Sequence, residues 1–138
     1  AKKKALDVSA KFQNSFVLGG DTLVFCENEV LGKPKNREDA FKMLKKLKNR
    51  SHSVVSGIAL CKNGEPLFEG ESQTEVRFRN YSDSEILNYI ISMEYADKAG
   101  AYGAQGKGAR FIESINGCFY NVVGLPIALT MEALNKME

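Results

Sequence analysis

The sequence predicts an α/β fold: a single domain with a mixed, mostly antiparallel sheet flanked by helices. Three observations predict it. Two Asn-Gly pairs, Asn63-Gly64 and Asn116-Gly117, each stand between strand-like runs, the strongest short-range signal for an antiparallel hairpin. Capped segments of helical period lie between the strand-like ones. No repeat or linker breaks the 138 residues, a length that can bury a core of its own.

The elements follow in order. Residues 1–12 read as the end of a helix, with Ala5, Leu6, Val8 and Ala10 apolar and Lys2, Lys3 and Lys4 solvated. Phe16–Phe25 reads as a strand interrupted by Gly19-Gly20, and paired glycines there point to close approach of a ligand or another strand. Glu27-Asn28-Glu29 is a turn, and Val30-Leu31 continues a hairpin into Gly32-Lys33-Pro34. Asn36 caps a helix from about Arg37 to Lys48, where Phe41, Leu44 and Leu47 make an apolar stripe.

Ser53–Cys61, rich in Val and Ile, is a strand that turns at Asn63-Gly64 and returns through Phe68 to Arg79. Near its end Thr74, Val76 and Phe78 alternate with Glu75, Arg77 and Arg79, the pattern of a half-buried strand. Ser82 followed by Glu85 is a capping box, opening a helix that ends near Met93 with Ile86, Leu87, Tyr89, Ile90 and Ile91 as its buried face. A glycine-rich loop runs from Gly100 to Gly108. Phe111–Ile115 is then a short strand, Asn116-Gly117 a second hairpin turn and Cys118–Val123 the return strand. Pro126 suits the first turn of a final helix ending near Met137.

Composition excludes several classes. Apolar content of 43% and charged content of 26% are ordinary for a globular chain. The formal charge of +2 is too small to argue for nucleic acid. The most basic stretch, Lys42 to Arg50, lacks interleaved aromatics and reads as a solvated helix face. Cys26, Cys61 and Cys118 match no zinc spacing and read as reduced thiols, which places the protein in the cytoplasm. No apolar run approaches the ~20 residues of a membrane span. The one histidine, His52, lies among polar residues and reads as a surface side chain, so a Ser/His or Cys/His catalytic pair is not expected.

Three stretches carry candidate chemistry. In Gly19-Gly20-Asp21-Thr22, a carboxylate after two glycines has little steric cover. It can hold a divalent metal or accept a proton from water, or it is a turn aspartate bonded to local backbone. In Leu31-Gly32-Lys33-Pro34, Lys33 is either a point charge for phosphate or a loop lysine. In Asp97 to Gly108, four glycines let backbone amides approach a ligand, and Gln105 offers a donor and an acceptor suited to a base edge. A flexible loop is the plain alternative. The segment is neither a Walker A loop nor a dinucleotide fingerprint.

These stretches, with Ser56 to Leu60, Thr74 to Arg79 and Asn121 to Pro126, follow one another in an order that resembles the Maf family, also called septum-formation inhibitor homologues. The string Asp97-Lys98-Ala99-Gly100-Ala101-Tyr102-Gly103 followed by Gln105-Gly106 is its most specific part. The resemblance implies a fold related to the inosine-triphosphate pyrophosphatases. It implies hydrolysis of nucleoside triphosphates between the α and β phosphates, with Mg²⁺ or Mn²⁺, by a homodimer without nucleic-acid or membrane partners. Asp21 matches the family's essential aspartate, proton acceptor or metal ligand. Lys33 matches its phosphate-binding lysine, and Lys4 a further phosphate-contacting lysine. Thr22 and Gln105 match positions that mark the UTP/dTTP subgroup, whereas the subgroup acting on methylated guanine nucleotides has a bulkier residue at Thr22.

The sequence departs from the family at Gly20, usually Ala, and at Glu94-Tyr95-Ala96, usually Glu-Pro-x. The family also opens with a Ser-x-Ser-Pro-Arg-Arg phosphate-binding segment and a first strand, and both precede the point where this sequence starts. The expectation is part of a longer protein or a degenerate paralogue, with weak or no turnover as it stands. The alternative function is a catalytically impaired nucleotide-binding or division-regulating protein.

Overall fold

The computed structural model describes residues 1–137. One sheet carries the fold, in spatial order β2 (Glu29–Leu31), β1 (Phe16–Cys26), β3 (Ser51–Lys62), β4 (Glu65–Phe78) and β5 (Ile112–Asn116). The mixed sheet expected from sequence is antiparallel in every pairing among the described residues. Asn63 and Gly64 take φ of 51° and 77°, the paired left-handed conformation of a two-residue hairpin turn. Glu27 and Asn28 do the same between β1 and β2 without a glycine, at φ 49° and 66°.

β1 runs through Gly19-Gly20 without interruption, with Gly19 opposite Ala59 and Gly20 opposite Ile58. The close approach at Gly19 is to a helix. A Cβ there would lie 2.9 Å from the Ala1 carbonyl oxygen and 3.0 Å from the Ala5 Cβ of α1 (Lys2–Lys11).

Alternation along β3 divides the packing between the two faces of the sheet. Val54 belongs to the main core, with Leu44 and Leu47 of α2 (Arg37–Leu47), Ile86 and Tyr89 of α3 (Asp83–Ile90), and Val76, Phe78 and Phe111. Farther along the same face, Ile58 and Leu60 meet Ala133 of α5 (Ile127–Leu134). On the other face, Ala59 and Cys61 pack against Ala5 of α1.

Both expected caps are present. The Asn36 side chain accepts from the Asp39 amide at 2.8 Å. The Ser82 hydroxyl accepts from the Glu85 amide at 3.2 Å, while the Glu85 carboxylate accepts from the Ser82 amide at 3.0 Å. Arg79 reaches Glu85 at 2.7 Å, and its hydrogen bond, with that of the Ser82 amide, holds the Glu85 carboxyl down at about 2. Ser82→Ala removes half of this box and should lower stability by about 1 kcal/mol, measured by urea unfolding at neutral pH.

Two expectations are corrected. The α3 face is narrower than the sequence suggests: Ile86, Tyr89 and Ile90 are buried, but Leu87 and Ile91 are 55% and 77% exposed. The Cys118–Val123 stretch is not a return strand. After Gly117 the chain leaves the sheet and forms the short helix α4 (Phe119–Val123). Gly117, at φ 124°, sits so close to Thr74 that a Cβ would lie 3.0 Å from its hydroxyl. The Thr74 hydroxyl donates to the Cys118 carbonyl at 2.9 Å. The buried Asn121 carboxamide then shares its two protons among the Val54 and Ser72 carbonyls and the Thr74 hydroxyl, at 3.0, 3.1 and 3.0 Å. These long-range bonds override the strand preference of a Val-rich stretch.

Candidate functional site

A cleft of about 730 Å³ opens where the middle of β1, the loop after β2, the glycine-rich segment and the crossover through α4 converge. That volume suits a small-molecule ligand. Of the residues the sequence singles out, Asp21, Thr22, Lys33 and Gln105 all line it. Lys4 is not part of the lining. It lies exposed on α1, whose first turn abuts Gly19, two residues before Asp21 and on the same face of β1.

Asp21 is exposed at mid-strand, opposite Gly57, and one carboxylate oxygen accepts from the Thr22 amide at 3.0 Å. Its other oxygen has no protein partner among the described residues. Thr22 projects from the opposite face, where its hydroxyl lies 2.8 Å from the Ser56 hydroxyl and donates to the Gly124 carbonyl at 3.4 Å. These bonds tie β1 to β3 and to the crossover.

Lys33 is exposed in a loop whose path is set by the Gly32 carbonyl, which accepts from the Gly100 amide at 3.1 Å. Gly100, at φ 72°, packs on Val24, and a Cβ would lie 3.2 Å from its methyls. The glycine-rich segment is thereby docked against both β1 and the lysine loop. Lys98, part of the quoted string but not singled out by sequence, adds a second cation to the lining and lies 3.7 Å from Asp97.

Gly103 and Gly106 line the cleft and also make room for a protein carboxylate. A Cβ on Gly103 would lie 2.6 Å from one oxygen of Glu94, and one on Gly106 would overlap the other. Glu94 accepts from the Tyr89 hydroxyl at 2.8 Å, the Lys107 amide at 2.9 Å and the Gly108 amide at 3.0 Å. Burial raises the Glu94 pKa, but these donors outweigh it and hold the carboxyl below its usual value. Nothing next to Glu94 in the sequence signals this, because the donating amides lie 13 and 14 residues downstream.

His52 is also placed differently from its sequence expectation. It is 2% exposed, beneath the cleft wall, with Nε2 2.7 Å from the Tyr102 hydroxyl and its ring edge-on to Phe78. Nδ1 has no partner. Burial lowers its pKa to about 4, so the ring is neutral at physiological pH. Tyr102 lines the cleft, and His52 supports it from behind.

The donor set bears on a metal. No three His, Cys, Asp or Glu side chains among the described residues are grouped to hold an ion. Mg²⁺ is commonly held by one or two carboxylates together with substrate phosphates and water, not by an all-protein cage. With the Glu94 oxygens occupied by amides, Asp21 and Asp97 are the carboxylates left in the lining, and of the two Asp21 has no lysine beside it at salt-bridge distance among the described residues. No helix among the described residues is long and apolar enough to cross a membrane.

Comparison with known proteins agrees with the motif reading. A sequence model described as Maf-like protein matches residues 1–137. Similar curated proteins include the dTTP/UTP pyrophosphatase of Dictyoglomus turgidum, 42% identical over 99% of this chain and 71% of its own length. The dTTP/UTP pyrophosphatase of Pyrococcus horikoshii is 46% identical over 96% of this chain and 70% of its own. That of Aquifex aeolicus is 47% identical over 100% of this chain and 72% of its own. The family match across nearly every residue, with identities at this level, shows that the chain belongs to the Maf-like family.

Proposed function

We propose that this chain is a nucleotide pyrophosphatase that hydrolyses UTP and dTTP, or modified pyrimidine triphosphates, to the monophosphate and pyrophosphate. The observation that carries the reading is one cleft lined by Asp21, Lys33, Thr22 and Gln105, in a chain whose similar curated proteins are named dTTP/UTP pyrophosphatase. Water attacks the α phosphorus, and the bridging oxygen leaves with pyrophosphate. Asp21 takes the proton from that water or holds the divalent cation. Mg²⁺ or Mn²⁺, held by Asp21 and the substrate phosphates, would neutralise charge at those phosphates. Lys33 and Lys98 offset the charge that grows on the leaving group. On the α1 side of Asp21, Lys4 is the further phosphate contact. Gln105 presents a donor and an acceptor to the pyrimidine edge, and the Thr22–Ser56 pair sets how much room the base has.

The homodimer and the cytoplasmic, reducing compartment belong to the same reading. The exposed apolar side chains Leu87 and Ile91 support the first, and three free thiols the second.

The test is pyrophosphate release from UTP, dTTP, CTP and GTP with Mg²⁺ and with Mn²⁺. Faster release from UTP and dTTP than from CTP and GTP is expected. Binding of UTP with no release from any triphosphate would replace the enzyme by a nucleotide-binding protein.

A further inference from the structure

We infer that Glu94 is the positioning residue of the nucleotide-reading wall: its carboxylate occupies an anion nest made by the protein's own loop, and that occupancy sets where Gln105 stands. The part concerning Gln105 rests on the reading proposed above.

The geometry is specific on both sides of Gln105. Gly103 precedes it by two residues and Gly106 follows it directly, and a Cβ on either would push the same carboxylate out of its place. The Lys107 and Gly108 amides donate to the two oxygens, fixing the downstream arm. The upstream arm is fixed through Tyr89, whose hydroxyl donates to Glu94 and accepts from the Gly103 amide at 3.1 Å. Ala104-Gln105 is the span between these anchors, with Ala104 buried and Gln105 exposed.

Glu94 is itself held in place. Met93 adopts the left-handed conformation at φ 63°, which turns the chain sharply after α3. The Ser92 hydroxyl donates to the Tyr89 carbonyl at 2.6 Å and accepts from the Glu94 amide at 3.3 Å. A full negative charge suits this nest, because amide and hydroxyl donors converge on it and no acceptor is required. A glutamine would set an NH₂ against at least one of those donors.

The experiment uses Glu94→Ala and Glu94→Gln in the full chain, with sodium formate as the probe and sodium chloride at equal ionic strength as the control. In Glu94→Ala, KM for UTP should rise about tenfold while kcat falls less, as expected for a displaced binding group. The preference for UTP over CTP should shrink towards unity. Formate, a small carboxylate that fits the vacated nest, should restore both, and chloride should not. Glu94→Gln should show the same loss without rescue, since its side chain fills the nest. Independently of turnover, formate should raise the melting temperature of Glu94→Ala and protect residues 103–107 from proteolysis, with no effect on the unaltered chain. Unchanged UTP kinetics in Glu94→Ala, or a loss that formate leaves untouched in kinetics and melting alike, would overturn the inference. If the unaltered chain releases no pyrophosphate, the enzyme reading fails, and the formate-dependent melting and proteolysis alone decide whether Glu94 fills the nest.

Discussion

Replacing Asp21 with Asn should leave a folded protein that still binds UTP but releases pyrophosphate about a thousandfold more slowly. The fold has little stake in this carboxylate. Asp21 is exposed, stands opposite Gly57 and makes one contact, an acceptor bond from the Thr22 amide at 3.0 Å. An asparagine oxygen can keep that bond, so strand register and the Thr22–Ser56 tie survive. What is lost is the charge. A neutral amide does not accept a proton from water at neutral pH and holds a divalent cation far more weakly than a carboxylate, so turnover falls whichever role Asp21 has. Varying Mn²⁺ separates the two roles. If Asp21 holds the ion, the variant should need far more Mn²⁺ for its residual rate. If Asp21 is the base, the ion requirement stays and the pH profile flattens. Turnover close to that of the unaltered chain would remove Asp21 from the reaction altogether. Melting curves of both proteins exclude unfolding as the cause.

The contrast between Asp21 and Glu94 shows what a sequence reading can and cannot reach. Asp21, Lys33, Thr22 and Gln105 sit in local motifs, and the structure brings all four to one cleft. Glu94 has no local mark of its own. Its meaning lies in amides 13 and 14 residues downstream, which fold back onto it. The glycines there read naturally as space for a ligand because sequence displays the missing side chain but not the occupant. Asn121 is similar: its partners on β3 and β4 are 47 to 67 residues away, so nothing nearby warns that Cys118–Val123 will leave the sheet. By contrast, Asn36, Ser82 and Asn63-Gly64 act on backbone within a few residues, and the structure has each in the expected role.

The burial of His52 turns on two residues of strand. With β3 started at Ser53, His52 falls in a polar turn. With β3 starting at Ser51, it shares a face with Val54 and Ser56 and must point inward. That burial has a measurable consequence. The ring titrates at about 4 in the folded protein, because burial penalises the charged form more than the Glu75 carboxylate favours it, and near 6.5 once unfolded. Between these values the unfolded chain binds the extra proton, so stability is fully present above pH 6.5 and declines as pH falls towards 4. Complete titration should remove about 3 kcal/mol, with about 2 kcal/mol already lost at pH 5. Measuring urea unfolding from pH 7 to pH 5 isolates this group, since the Glu85 and Glu94 carboxyls titrate lower. His52→Gln keeps a partner for the Tyr102 hydroxyl but cannot titrate, and its stability should be nearly flat over the same interval. If the variant loses stability with acid as steeply as the unaltered chain, the buried imidazole is not the source of the acid sensitivity. A flat profile in the variant alone would tie the Tyr102 wall of the cleft to the neutral state of the one histidine in the chain.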